Sequence, residues 1–279
     1  LLMRVFVTGS IAYDYIMVFP GKFQDHILAD KVHVLSVSFL VDSLTRRRGG
    51  TGANIAYNLA LLGEKPTLVG TVGEDFEDYR AILKAKGVDD SGVKVIKSEH
   101  TASCFVNTDL ADNQIIAFYP GAMSKASTIS PKDLGATADD LVVIAPNDPA
   151  AMGRYAAECT VAGVPYLYDP SILLPVMTLG EKGALITVDG AEHEIPPAKP
   201  GKVADPTGAG DAFRGGFVAG MSLGLPWPVV GRMASLTAVY AIEHPGPQEH
   251  SYSLDEFIAR YRDNFGPAEE LEALGRGRA

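Results

Sequence analysis

Apolar runs of four or five residues recur along the chain at Val5 to Thr8, Pro66 to Gly70, Leu141 to Ala145 and Pro165 to Tyr168. Stretches with helical spacing lie between them, near Asp75 to Lys86 and Ala150 to Ala162. Strands that are apolar on both sides and alternate with helices predict a parallel sheet covered on both faces. Ala102 to Asn107 and Gln114 to Tyr119 differ, because they flank the polar Asp109 to Asn113 as hairpin arms flank a turn. Ile55, Leu59 and Leu62 share one helical face, which reads as core. From Asp211 onward Ala212, Phe213, Gly216, Phe217, Ala219, Gly220 and Leu223 suit a closely packed helix that stops at Gly224. After Pro267, Ala268 to Leu274 reads as a short surface helix, and no internal repeat or low-complexity segment is present.

The start of the Asp211 helix carries the most chemistry. Asp205-Pro206-Thr207-Gly208-Ala209-Gly210-Asp211 joins a small-residue turn to a helix N-terminus and a carboxylate. Glycines let an anion approach the main chain, and the opening amides and dipole of a helix favour negative charge. Asp211 then stands where it could accept a proton from an attacking hydroxyl. A lone G-x-G-D also fits an ordinary strand-to-helix turn capped by Asp. A second glycine run, Arg48-Gly49-Gly50-Thr51-Gly52-Ala53-Asn54, leads into another helix and leaves Gly50 and Asn54 as candidate ligand contacts.

Together these runs, with Ala212-Phe213-Arg214-Gly215-Gly216-Phe217 behind the first, resemble the ribokinase or PfkB family of sugar and nucleoside kinases. Thr8 to Asp14, Ser38 to Asp42, Phe118 to Met123 and Asn147 to Pro149 are similar to segments of the bacterial adenosine kinases within it. The resemblance covers nearly the whole chain. It implies a ribokinase-like three-layer α/β/α core with a mostly parallel sheet, plus a small β-sheet lid formed by about 12–46 and 100–120, in one domain over 1–279. It implies ATP as phosphoryl donor with magnesium. Gly208, Ala209, Gly210 and Asp211 then perform the transfer. Asp14, Gly50 and Asn54 clamp ribose hydroxyls, Ser10, Ser38, Phe118 and Met123 line the acceptor pocket, and Thr178, Gly180, Gly183 and Thr207 contact the nucleotide. Asp205 and Thr207 match positions that hold a monovalent cation, commonly potassium. Read as residues alone, Asp14 serves equally as a turn cap, Phe118 as lid core, Met123 as apolar filler, and Asp205 with Thr207 as a turn that positions Gly208.

Two departures stand out. Where the adenosine kinases present an aromatic ring to the base, this chain has Cys104, so a ring must come from Phe105 or Phe118. That keeps a free sugar such as ribose or a fructose derivative open as the acceptor, beside adenosine. A non-catalytic ligand sensor on the same fold is the third reading. The second departure is a junction. Pro165 to Tyr168 and Val176 to Thr178 read as strands with too few residues between them for a parallel crossover of about a dozen, so a segment is expected to be missing between 174 and 176. The family's magnesium-organising Asn-x-x-Glu motif belongs to this region and has no counterpart between Asp169 and Val176.

No Walker-type glycine loop, C-x-x-C pair, zincin motif or G-x-S-x-G elbow is present. Arg46, Arg47 and Arg48 read either as a phosphate-attracting group or as a solvated charge run. With 279 residues, 47% hydrophobic and 21% charged, the chain can bury a substantial core. A net charge of -10 argues against a general nucleic-acid binder. Two cysteines, Cys104 and Cys159, form no disulfide framework. Leu1-Leu2-Met3-Arg4 shows no signal-peptide pattern, and no apolar run approaches the ~20 residues of a membrane span. The expectation is a cytoplasmic enzyme, a monomer or lid-mediated homodimer, acting on a small-molecule nucleoside or sugar.

Overall fold

The computed structural model describes residues 3–27, 36–168, 176–188, 190–267, 269–271 and 274. In chain order the elements are β1 (Val5–Thr8), β2 (Ala12–Val18), β3 (Ser43–Gly49), α1 (Thr51–Leu61), β4 (Thr67–Val72), α2 (Glu77–Ala85) and β5 (Asp89–Val95). There follow β6 (Ala102–Thr108), β7 (Gln114–Tyr119), β8 (Leu141–Ile144), α3 (Pro149–Ala162), β9 (Tyr166–Tyr168) and β10 (Val176–Thr178). The last are β11 (Ala184–Val188), β12 (Ala191–Ile195), α4 (Ala209–Ser222), α5 (Trp227–Ile242) and α6 (Leu254–Phe265).

The central sheet has the order β5-β4-β1-β8-β9 with every pairing parallel. Its apolar strands are buried on both faces, and alternate residues face opposite layers. Val5, Val7, Leu68 and Val143 pack with α1, α2, α4, α5 and α6, through residues such as Ile55, Leu83, Val218, Leu236 and Phe257. Phe6, Val69, Val142 and Ile144 pack with Ala151, Tyr155 and Cys159 of α3. Local signals set the helix ends. Asp148 accepts from the Ala151 amide ahead of Pro149, α3 stops at a left-handed Gly163, and Ser253 and Glu256 form a capping box on α6.

The chain leaves β1 for β4 and β5 on one side and returns to β8 and β9 on the other, so the order reverses at β1. Ligands of open α/β sheets bind in the crevice at such a reversal. Gly9 and Ser10 emerge there. Beyond them β2 begins a second sheet of order β3-β2-β6-β7, antiparallel except for β2 with β6.

The structure corrects two expectations. β9 and β10 are not parallel neighbours, because β10 pairs antiparallel with β11 in a separate sheet of order β10-β11-β12. That sheet packs Ile186 and Ile195 on Phe213, Phe217 and Val230, and so supports the start of α4. The expected break between 174 and 176 lies outside the described residues. The tail is a surface helix only in part: Glu269–Leu271 is a short 3-10 helix with both glutamates exposed, but Leu271 and Leu274 are buried in the main core. Apolar anchoring overrides the polar look of the segment.

Candidate active site

The N-terminus of α4 gathers the glycine turn, the carboxylate and the open space that the site needs. Gly208 takes φ +82°, and a Cβ there would overlap Pro247. Only glycine satisfies both the left-handed backbone and this close approach. A Cβ on Gly210 would meet nothing within 4 Å, so the space above it is open. The Ala209 amide turns back to the Pro206 carbonyl at 3.2 Å, which removes it from the set expected to face an anion. The helical ladder begins with the Ala212 amide on Gly208 O at 2.9 Å, so the Gly210 and Asp211 amides belong to the helix opening.

Asp211 is held from two sides. Asn54 Nδ2 donates to its Oδ2 at 2.9 Å, and Arg214 donates to its Oδ1 at 2.9 Å. Burial raises its carboxyl above the ordinary range against the opposing pull of Asn54 and Arg214. Asn54 is fixed in turn, because Gln248 Nε2 donates to its Oδ1 at 2.7 Å and also reaches the Tyr79 hydroxyl. Tyr79 donates onward to Gly49 O at 2.9 Å. Neither Arg214 nor Gln248 stood out in the sequence. Arg214 lies one helical turn from Asp211 and could have been found by spacing, whereas Gln248 is 194 residues from Asn54.

The second sheet presents a row of side chains to the same cleft. Register places Arg47 on β3, Asp14 on β2, Cys104 on β6 and Phe118 on β7 directly opposite one another, so all four share one face. Phe105 stacks on Tyr15 at 4.9 Å on the other face. Phe118, half exposed, is therefore the ring on Asp14's side. The Asp14 carboxylate occupies the space a Cβ of Gly49 would fill. Burial pushes its carboxyl up to about 6, with Arg47 opposing the rise and Asp211 adding to it. Burial and Asp14 together raise the Cys104 thiol.

The remaining predicted residues divide. Gly50 caps α1 at φ +92°, and Ser10 Oγ accepts from the Thr51 amide at 2.9 Å, so Ser10 anchors the glycine run. Met123 is half-buried in a 3-10 helix (Gly121–Thr128) behind β7. Ser38 is exposed beside Phe39, whose ring packs on Phe19 and Phe23. Thr178, Gly180 and Gly183 line a cavity of about 590 Å³ with Ala209, Gly210 and Phe213, its remaining wall mostly proline and aliphatic residues with Glu181, Lys199 and Ser235 as the polar members. Thr207 is exposed and does not line the cavity.

Among the described residues no group of three or more His, Cys, Asp or Glu could hold a metal ion by itself; magnesium on a nucleotide would need only one or two carboxylates beside the phosphates. At the position implied for a monovalent cation, both oxygens of Asp205 already have donors. Thr207 N donates to Oδ1 at 2.9 Å, and Arg47 donates to Oδ2 at 2.6 Å. Burial would raise this carboxyl, but Thr207 and Arg47 hold it below the ordinary range. Among the described residues no helix is long and apolar enough to cross a membrane.

Comparison with known proteins agrees with this fold. The sequence profile of the pfkB family carbohydrate kinases matches residues 10–177 and 171–253. The nucleoside kinase of Methanothermobacter thermautotrophicus is 27% identical over 311 aligned positions, covering 92% of this chain and 95% of that protein. Since the aligned positions outnumber this chain's 279 residues, the relative carries positions that this chain lacks. The structure of Burkholderia thailandensis nucleoside kinase in complex with inosine superposes with a TM-score of 0.82 at 31% identity, covering 95% of this chain and 99% of that one. The nucleoside kinase of Methanocaldococcus jannaschii superposes with 0.77 at 25% identity, covering 94% and 98%.

Proposed function

The chain belongs to the pfkB family of carbohydrate kinases, and from that premise we propose that it transfers the γ-phosphoryl group of ATP to the primary hydroxyl of a nucleoside. The observation that carries the acceptor class is the row Asp14, Cys104 and Phe118 on one face of the second sheet, with Asp14 near enough to Asp211 for the two carboxylates to interact. A desolvated carboxylate suits a pair of ribose hydroxyls, and an aromatic ring two strands away suits a base. Phe118 thereby replaces the stacking that Cys104 cannot give. The relatives that bind or are named for nucleosides, including the protein solved with inosine, support the same class. A stacking ring does not distinguish adenine from hypoxanthine, so we take adenosine and inosine as the first candidates.

In this reading the base and ribose of ATP fill the cavity beside Thr178, Gly180 and Gly183, and the phosphates lie over Gly210. The opening amides of α4 meet the charge that develops on the transferring group. Asp211, its orientation fixed by Asn54 and Arg214, takes the proton of the attacking hydroxyl. Its raised carboxyl is a stronger base than a solvated one. Asp14, Gly50 and Asn54 hold the acceptor so that this hydroxyl faces the phosphate in line.

The test is ADP release from ATP against adenosine, inosine, cytidine, ribose, fructose and fructose phosphates, with Asp211→Asn as the blank. Preferential turnover of nucleosides sustains the proposal. Preference for ribose or fructose moves the acceptor to a free sugar, the reading that Cys104 favours. No turnover above the blank with any acceptor leaves a ligand sensor.

A further inference from the structure

We propose that Arg47 supplies from within the chain the positive charge that the resemblance assigns to a bound monovalent cation beside the phosphate cradle, so that phosphotransfer here runs without potassium. The inference rests on phosphotransfer at Gly208 to Asp211 but not on which acceptor is used.

Arg47 arrives from β3, on the acceptor side of the cleft, and meets Asp205 in the loop that enters α4, 158 residues later. The contact is 2.6 Å, and the two side chains are only 23% and 17% exposed. The guanidinium stem passes close to a second turn: a Cβ on Gly246, at φ +109°, would stand 3.0 Å from Arg47 Cδ and 3.6 Å from Nε. Arg47 is thus threaded between the turn at Asp205 and the turn at Gly246. Pro247, next along, is the residue that Gly208 packs against.

A cation bound to Asp205 would have to share its oxygens with Arg47 on Oδ2 and Thr207 on Oδ1, which leave it only the second lone pair of each. With Arg47 in place it would also sit against a second positive charge. The guanidinium cannot be deprotonated and offers several donors in a fixed fork, so one arm can hold Asp205 while the charge stays beside the cradle. The loop ahead of Gly208 is then pinned by a covalently tethered cation whose local concentration does not depend on the medium.

The experiment compares turnover and thermal melting of the whole protein in potassium chloride and in tetramethylammonium chloride at matched ionic strength. Wild type is expected to give the same turnover and the same melting temperature in both salts. Arg47→Gln should be slower and less stable in tetramethylammonium and should recover severalfold in turnover, with a higher melting temperature, when potassium is supplied. Arg47→Lys, which keeps the charge, should stay insensitive to potassium. A severalfold rise of wild-type turnover on adding potassium overturns the proposal. So does an Arg47→Gln protein that folds and is equally impaired in both salts, because a purely structural arginine behaves that way. The wild-type comparison decides even if the glutamine variant does not fold, and the melting readout stands even with no acceptor identified.

Discussion

The two carboxylates that face the cleft sit in regions built on opposite plans. Asp211, at the opening of α4, already receives hydrogen bonds from Asn54 and Arg214, and Asn54 is itself locked by Gln248. Asp14, on the second sheet, is half-buried beside Arg47, yet among the described residues no side-chain hydrogen bond reaches its carboxylate. One region has spent its donors on holding a base still. The other keeps a desolvated acceptor of hydrogen bonds in reserve, and hydroxyl groups on a substrate are the donors that would offset its burial. The contrast extends outward: α4 is packed between α1 and α5, whereas all six residues of β7 are exposed. The proposed function gives chemistry to the fixed region and recognition to the open one.

The largest effect should come from Asp211→Asn. Turnover is expected to fall about 10²- to 10⁴-fold, the usual range for a general base, while the protein keeps its fold, measured by steady-state ADP release and thermal melting. An asparagine variant with near wild-type turnover would reverse the division between the two carboxylates. Asp14→Asn should instead act on the acceptor, raising its dissociation constant by about 10- to 100-fold, as for a lost hydrogen bond to a charged group of ~1.5–3 kcal/mol.

Asp14 also carries a pH signature. Acceptor affinity should strengthen as pH rises through about 6 and Asp14 ionises, and the asparagine variant should lose that dependence in calorimetric titrations. Stability runs the other way. Between the ordinary aspartate value of 3.8 and about 6 the folded protein holds a proton that the unfolded chain has released, so the free protein loses stability as pH rises across that window. Asp14→Asn should flatten this loss in melting curves taken across the same window.

Gly208→Ala should destabilise by at least roughly 1–3 kcal/mol, the cost of a strained left-handed conformation, with the overlap on Pro247 adding to it, and denaturant midpoints read this directly. The smallest effect belongs to the open region. Phe118→Ala should leave stability within about 0.5 kcal/mol, as for other exposed positions, yet weaken nucleoside binding by about 0.5–1.5 kcal/mol if its ring stacks on the base. Equal loss for ribose and adenosine would remove the ring from base recognition.

The fold class was legible because its signals are contiguous: apolar runs alternating with helical periodicity, two glycine runs, and a hairpin about Asp109 to Asn113. The register of that hairpin is a local property too. Pairing Thr108 with Gln114 sets Cys104 opposite Phe118, and counting back from the turn is enough to prefer Phe118 to Phe105. What the sequence hides is pairing at a distance. Arg47 with Asp205 and Gln248 with Asn54 bridge segments whose meeting is decided by the packing of whole layers. β10 was misplaced for a related reason, since an isolated three-residue strand carries no mark of the sheet it will join. The tail's anchoring was missed because its acidic residues outnumber the two leucines that anchor it.

The hydrogen bonds that converge on Asn54 have a meaning for biosynthesis. Asn54 leaves the ribosome first of the three, Asp211 follows 157 residues later, and Gln248 completes the set 194 residues after Asn54. A nascent chain, or one cut short before Gln248, therefore carries separate fragments of the cleft without an oriented base. The carboxylate of Asp211 is held on its Asn54 side only after Gln248 has joined the fold.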